Sequence, residues 1–415
     1  MLFDLHALSP KVHRESCMIL MTHSRAGLYR YSTTSKKSLT ANSKASLGLQ
    51  PFRLLENSNN TSEVNRLGSL AFDLRFKSKS VISRSHTRSL STGNTRMALN
   101  YLFGRKLASG FGSGSTASEV ADTFADRIRE CTVCITGANT GLGKHTALHV
   151  ARVGGSVIMM GRNPTTLDAA AKEVRTSALN DDVQVHTVVC DLNDFDSIRE
   201  AAQQVRSLQL EKPFTVLLNN AGVMMCPRTV IDGVEMQMRT NVFGHYLLTN
   251  ELLPLLRANE NCRVVNVSSV AHKWATPSLG LDDLAAEKSY NEKERYGDSK
   301  LSNALHAVAL SKLEGVTAVS LHPGVIPSSD LGRHMSRTKI SLAKTVLRPF
   351  FKTVPQGAAT GVYCCFAPEV VNGGYYADCN LKMQPEEVDS LVSADTKLAL
   401  LNTCAETTHS PLLAE

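Results

Sequence analysis

Residues 131–143 read Cys-Thr-Val-Cys-Ile-Thr-Gly-Ala-Asn-Thr-Gly-Leu-Gly. A short apolar run rich in β-branched residues stops at a glycine-rich turn, and from Leu142 the apolar residues take up helical spacing. Glycines in such a turn let the backbone approach a pyrophosphate closely, and the first turn of the helix behind it offers unpaired N–H groups and a partial positive charge. Gly137, Asn139, Thr140, Gly141, Leu142 and Gly143 are therefore candidates for holding a dinucleotide. Their spacing, G-x-x-x-G-x-G, differs from the G-x-G-x-x-G of long-chain dehydrogenases.

Outward from this turn, strand-like runs at 131–136, 156–160, 183–190, 214–219, 262–268 and 316–321 alternate with helical patterns such as 142–153, 194–208 and 297–313. The pattern predicts an α/β fold with a doubly wound parallel sheet of the Rossmann type, six parallel strands and a seventh near 374–377. Cys131 and Cys134 mimic a redox or zinc motif, but three residues along a strand their side chains point to opposite faces, too far apart to bridge. Most of the ten cysteines sit in apolar runs, as free buried thiols of a reducing compartment do.

Charge divides the chain. Residues 1–100 carry 15 Lys and Arg against 5 Asp and Glu, with 17 serines, whereas the remaining 315 residues carry 30 against 33. Residues 1–96 are expected to be a disordered basic leader, in composition a transit peptide, ahead of a single domain at 97–415. That places the protein in an organelle, plastid or mitochondrion; the alternative is the cytosol or a membrane surface if translation starts near Met97. Scattered basic residues without interleaved aromatics argue against nucleic acid as a partner. No apolar stretch is long enough to span a bilayer. His272, His306 and His334 have no spacing that suggests a metal site.

At the end of the second strand, Arg162 stands where an acid would bond the ribose 2′-hydroxyl and repel a 2′-phosphate; an arginine pairs with that phosphate and favours NADP(H) over NAD(H). Asp191 and Leu192 follow the third strand, with Asp191 placed to accept from the adenine amino group, and Asn219-Asn220-Ala221-Gly222 closes the fourth with small residues beside the cofactor. Tyr296 and Lys300, four residues apart, share one helix face; a nearby cation favours the phenolate and makes the pair a general acid/base. Ser268 and Ser269 end a buried strand, and alternation lets only one of them face a substrate.

Thr136 to Gly143, Asn219 to Gly222, Asn241, Ser269, Tyr296, Lys300 and His322-Pro323-Gly324 together resemble the motif series of the classical short-chain dehydrogenase/reductase family over roughly residues 103–378. The resemblance implies that Tyr296 exchanges a proton with the substrate oxygen and that Lys300 lowers its pKa and holds the nicotinamide ribose. It also implies that Ser269 polarises the carbonyl, that Asn241 helps hold a relay water, and that Pro323, Gly324 and Ser328 line the cofactor. Hydride passes directly between nicotinamide and carbon, with no metal. Residues 239–246, 266–272 and 320–324 are similar to retinol dehydrogenases. Residues 103–120 resemble plant relatives that include the short-chain dehydrogenase of the chloroplast inner-envelope translocon. Tyr-x-Asp-Ser-Lys is also similar to protochlorophyllide reductase, whose cysteine after Pro-Gly is Val325 here.

The expected activity is NADP(H)-dependent interconversion of an apolar aldehyde or ketone with its alcohol; the alternative is a cofactor-sensing subunit of a protein-import or other assembly. The insertion at 325–352, with an apolar stripe amid lysines and arginines, reads as a substrate lid with possible peripheral membrane contact. A homo-oligomer fits the same expectation.

Overall fold

The computed structural model describes residue 104 and residues 106–327 and 351–411. The expected leader at 1–96, most of the lid and Ser328 lie outside them.

The runs read as strands form one sheet. β1 (Thr132–Thr136) pairs in parallel with β2 (Ser156–Gly161) on one side and β4 (Phe214–Asn219) on the other; β3 (Val185–Val189) lies beyond β2. After a small hairpin of β5 (Val230–Ile231) and β6 (Val234–Glu235), the sheet continues through β7 (Arg263–Val267), β8 (Thr317–His322) and β9 (Tyr375–Ala377), all parallel. The spatial order is β10-β9-β8-β7-β4-β1-β2-β3, so the direction of winding reverses between β1 and β4. An open α/β sheet binds its ligand at that reversal, beyond the carboxyl ends of the strands. β10 (Asn380–Met383), antiparallel to β9, is an edge strand that the sequence reading did not contain.

Every residue of β1, β2, β4 and β7 is buried, as expected of strands covered on both faces. On one face Val133, Ile135, Val157 and Met159 meet α1 (Ala117–Thr123), α2 (Gly141–Arg152), α3 (Pro164–Thr176) and α7 (Val354–Phe366). On the other, Cys134, Ile158, Met160 and Leu217 meet α4 (Phe195–Ser207), α5 (Gly244–Arg257) and α6 (Glu292–Leu310). Cys131 and Cys134 fall in these two different clusters, which disposes of the apparent motif. The nine cysteines among the described residues are free and buried, and burial pushes the Cys131 and Cys262 thiols up to about 11. Such thiols stay protonated and unreactive.

The largest boundary difference is at α6, which the sequence pattern starts at Gly297. It begins at Glu292, because Asn291 caps it by accepting from the Lys293 and Glu294 amides and two glutamates occupy the first turn. Tyr296 and Lys300 therefore stand inside a formed helix, more than a turn from its capped end. Among the described residues no helix is long and apolar enough to cross a membrane.

Candidate active site

At the carboxyl edge of the sheet, α6 packs against the turn that follows β7. A Cβ on Gly297 would stand 2.6 Å from the Trp274 carbonyl carbon, so glycine is what lets the helix seat here. Tyr296 and Lys300 are both 3% exposed. The Ser269 hydroxyl lies beside the Tyr296 phenol, where it favours the ionised form. The Lys300 ammonium lies 5.7 Å from the centre of that ring and donates to the Val267 carbonyl at 2.9 Å. Ser268 points elsewhere, donating to the Lys300 carbonyl at 2.6 Å, so it ties strand to helix while Ser269 faces the cleft.

Three neighbours hold the Ser269 turn. The Ala271 amide donates to the Ser269 hydroxyl at 3.2 Å, and His272 Nδ1 is 2.7 Å from the Ser269 carbonyl. The Val270 amide donates to His322 Nδ1 at 3.2 Å. Accepting there requires an unprotonated Nδ1, in keeping with burial and the adjacent Lys352 pulling His322 down to about 3.

Electrostatics depart from the sequence expectation in one respect. Four-residue spacing suggests a phenol made acidic by the ammonium, but burial pushes Tyr296 well above its ordinary value and only the neighbouring Ser269 hydroxyl opposes this. Burial also pulls Lys300 down to about 8. Desolvation penalises the charged form of each group, so both move toward neutrality. Lys300 is still the nearby cation on this face; its attraction for a phenolate appears when the tyrosine ionises, not in the resting pair.

Asn241 sits in a π turn, Arg239–Phe243, where the Gly244 amide reaches back five residues to the Arg239 carbonyl. Its amide group donates to the Val223 carbonyl and the Ser299 hydroxyl, both at 3.0 Å, and accepts from the Val223 amide at 2.9 Å. Ser299 in turn donates to the Tyr296 carbonyl at 2.8 Å. Both N–H donors of Asn241 are thus spent on protein, and what it has left to offer is acceptor capacity. A Cβ on Gly222 would stand 3.2 Å from Asn241 Oδ1 and 3.5 Å from Lys300 Nζ, so both groups border one small space.

The cofactor candidates gather at the reversal point. Gly137 and Gly141 have φ of +63° and +55°. A Cβ on Gly143 would lie 2.5 Å from the Gly137 carbonyl oxygen, so only glycine lets α2 start this close to the turn, whereas one on Gly141 would meet nothing within 4 Å. That open ground over the amino end of a twelve-residue helix, with Thr140 at the N-cap position making no side-chain bond to the helix amides, suits a pyrophosphate. Asn220 braces the turn, donating to the Thr136 carbonyl at 2.8 Å, and Ala221 packs on Gly137. Asn139 bonds Thr166 at 3.2 Å and lies over Gly161. Arg162 is exposed beside them, without an ion-pair partner among the described residues. The Asp191 carboxylate accepts from the Asn193 amide at 3.0 Å, at the mouth of β3. Leu142 packs partly buried against the core, and the buried Leu192 presses its carbonyl on Gly244. The residues present fit a dinucleotide.

Comparison with known proteins decides the family. The short chain dehydrogenase profile matches residues 131–280. Retinol dehydrogenase 12 of Mus musculus is 41% identical over 253 residues, 60% of this chain and 77% of that protein. The chain belongs to the short-chain dehydrogenase family. The chloroplastic short-chain dehydrogenase TIC 32 A of Brassica napus is 37% identical over 292 residues, 67% of this chain and 89% of that one. The crystal structure of an uncharacterised Mycobacterium paratuberculosis protein, 28% identical, superposes with a TM-score of 0.54 over 69% of this chain and 96% of that one.

In this short-chain dehydrogenase the two stems of the insertion are joined by a bridge between Val325 and Phe351, with the Lys352 amide donating to the Val325 carbonyl at 2.9 Å. Lys352, 4% exposed, pairs with Asp378 at 2.7 Å, and its side chain fills the space that a Cβ on Gly324 would need, 2.6 Å away. Pro323 and Gly324 are thereby fixed between β8 and the end of the insertion. Sequence reasoning did not single out Lys352, Asp378, Ser299 or His245 as site residues; an acid in a two-residue turn after a strand is the one local signal that could have found Asp378.

Proposed function

We propose that this short-chain dehydrogenase interconverts an apolar aldehyde or ketone and its alcohol using NADP(H). The carrying observation is the convergence of three side chains, the Ser269 hydroxyl beside the Tyr296 phenol and the Lys300 ammonium 5.7 Å from the centre of that ring, next to a turn shaped for a dinucleotide. Gly137, Gly141, Gly143 and the α2 amino end would hold the pyrophosphate, and Lys300 the nicotinamide ribose. A bound nicotinamide supplies or accepts the hydride at the substrate carbon.

In the reductive direction Tyr296 Oη gives its proton to the substrate oxygen; in the oxidative direction it takes one. Ser269 donates to the same oxygen, stabilising charge that develops there. Lys300 stabilises the phenolate left behind, and its own remaining donors, with the acceptors of Asn241, hold water over Gly222 for proton return. Preference for NADP(H) is supported by Arg162 at the end of β2 with no acid in its place. An apolar substrate is supported by exposed Val270, Trp274 and Val325 on the two loops that carry Ser269 and Gly324. Placement in a plastid is supported by the Brassica napus relatives and by the basic, serine-rich residues 1–96.

The test is nicotinamide absorbance followed with NADPH and NADH across retinoid, aliphatic and steroid carbonyls. Turnover with NADPH on an apolar carbonyl is expected. Tight NADPH binding with no turnover on any of them would overturn the enzymatic reading in favour of a cofactor-sensing role.

A further inference from the structure

We propose that His245, on the first turn of α5, is a positioning residue that couples the cofactor turn to Asn241; this rests on the function proposed above. His245 is 2% exposed and lies between two residues of the site. Its Nε2 is 2.9 Å from the Thr136 hydroxyl, and its Nδ1 is 3.1 Å from the Asn241 carbonyl.

Hydrogen-bond capacity fixes every proton in this chain. The Asn241 carbonyl only accepts, so Nδ1 carries the hydrogen, and a neutral ring then leaves Nε2 as an acceptor. Thr136 Oγ1 already accepts from the Asn220 and Ala221 amides, both at 2.9 Å, so its two lone pairs are used; of the two acceptors left for its proton, Nε2 at 2.9 Å is nearer than the Leu218 carbonyl at 3.5 Å and takes it. Burial pulls the imidazole down to about 3, and Lys300 and His306 act in the same direction, so the ring stays neutral through the working range. Asn241 and Thr136 are the groups in hydrogen-bond contact with the ring; the residue therefore moves no proton.

The chain runs from the end of β1 and the Asn220-Ala221 corner, through one rigid ring, to the backbone of the π turn. That backbone orients an amide already bonded to Val223 and Ser299. A plain α-helical turn with an aliphatic residue at 245 would leave the Thr136 proton and the Asn241 carbonyl without this shared partner. The ring thus serves two separate ends, Nε2 holding the Thr136 hydroxyl of the dinucleotide turn and Nδ1 holding the carbonyl behind the proton-relay amide.

The two ends separate by substitution in the full chain. His245→Asn keeps a donor near the Asn241 carbonyl and cannot reach Thr136. It should weaken NADPH binding, read by nicotinamide fluorescence, by about tenfold, the order of one lost buried hydrogen bond, and keep kcat at saturating cofactor. His245→Gln reaches Thr136 but not the Asn241 carbonyl; it should keep NADPH affinity, lower kcat by about tenfold and speed amide hydrogen exchange at Val223. Parallel loss of affinity and kcat in both variants, or a fall in Tm alone, overturns the proposal. Should the variants fail to fold, ¹⁵N-resolved NMR of the native protein decides, since the Nδ1–H tautomer, neutral at pH 6, is required and an Nε2–H tautomer or an imidazolium contradicts it. If wild type binds NADPH without turnover while affinity and exchange still split between the variants, the positioning role stands and the proposed reaction falls.

Discussion

Replacing Lys300 by methionine removes the ammonium while nearly keeping its volume. Taking the 5.7 Å from the ammonium to the ring centre as the charge separation, a unit charge attracts a phenolate by about 3 kcal/mol at an effective dielectric constant of ~20. Each pKa unit corresponds to ~1.4 kcal/mol, so Lys300→Met should raise the phenol by about two units and lower alcohol oxidation near neutrality about 100-fold. The assay is the pH dependence of kcat for alcohol oxidation, with cofactor saturating: the rising limb should move up by about two units in the variant. A limb that stays in place while the rate falls evenly at every pH would refute the electrostatic role and leave only cofactor positioning. The same substitution carries a stability signature. Burial lowers Lys300 to about 8 from its ordinary value, so between there and about 10.5 the unfolded chain binds the extra proton and the native state gains stability as pH rises. Below about 8 both states are protonated and the cost of burying the charge is present in full, on the order of 3 kcal/mol. Lys300→Met should therefore have a higher Tm than wild type at neutral pH and lack the wild-type rise above pH 8.

Other substitutions separate the roles of neighbouring residues. Ser268→Ala leaves the Lys300 carbonyl without its 2.6 Å donor and should cost about 1–2 kcal/mol in denaturant unfolding with the chemical step little changed; Ser269→Ala should do the reverse, lowering kcat about 10- to 100-fold with little loss of stability. Arg162→Ala should weaken NADPH about 10- to 100-fold and leave NADH nearly unaffected, which paired KM values for the two cofactors measure. Gly143→Ala forces a methyl to within 2.5 Å of the Gly137 carbonyl; equilibrium dialysis should show cofactor binding lost even where circular dichroism shows the chain folded.

The β1-turn-α2 unit was legible because strand, glycine turn and helix follow one another with fixed spacing, and Tyr296 with Lys300 because a helix brings residues four apart together. The choice between Ser268 and Ser269 was half legible: alternation says that one faces the cleft, and only the bond from Ser268 to the Lys300 carbonyl says which. What sequence left out is long-range. Lys352 and Asp378 meet across 26 residues, and His245 reaches Thr136 across 109, through a fold that must exist before the contact does. Spacing shows the charge beside Tyr296 and does not show the burial that pushes the phenol up. The early start of α6 was hidden by a polar first turn, although Asn291 and the two glutamates behind it are the start signal.

The central claim is that the Tyr296 hydroxyl is the group that exchanges a proton with the substrate. Initial rates of NADPH oxidation with an apolar carbonyl, measured for the full chain and for Tyr296→Phe, test it most directly. The account predicts turnover by the wild type and a loss of about 10²–10⁴-fold in the variant, with NADPH affinity unchanged. A Tyr296→Phe protein that reduces the carbonyl as fast as the wild type would contradict it.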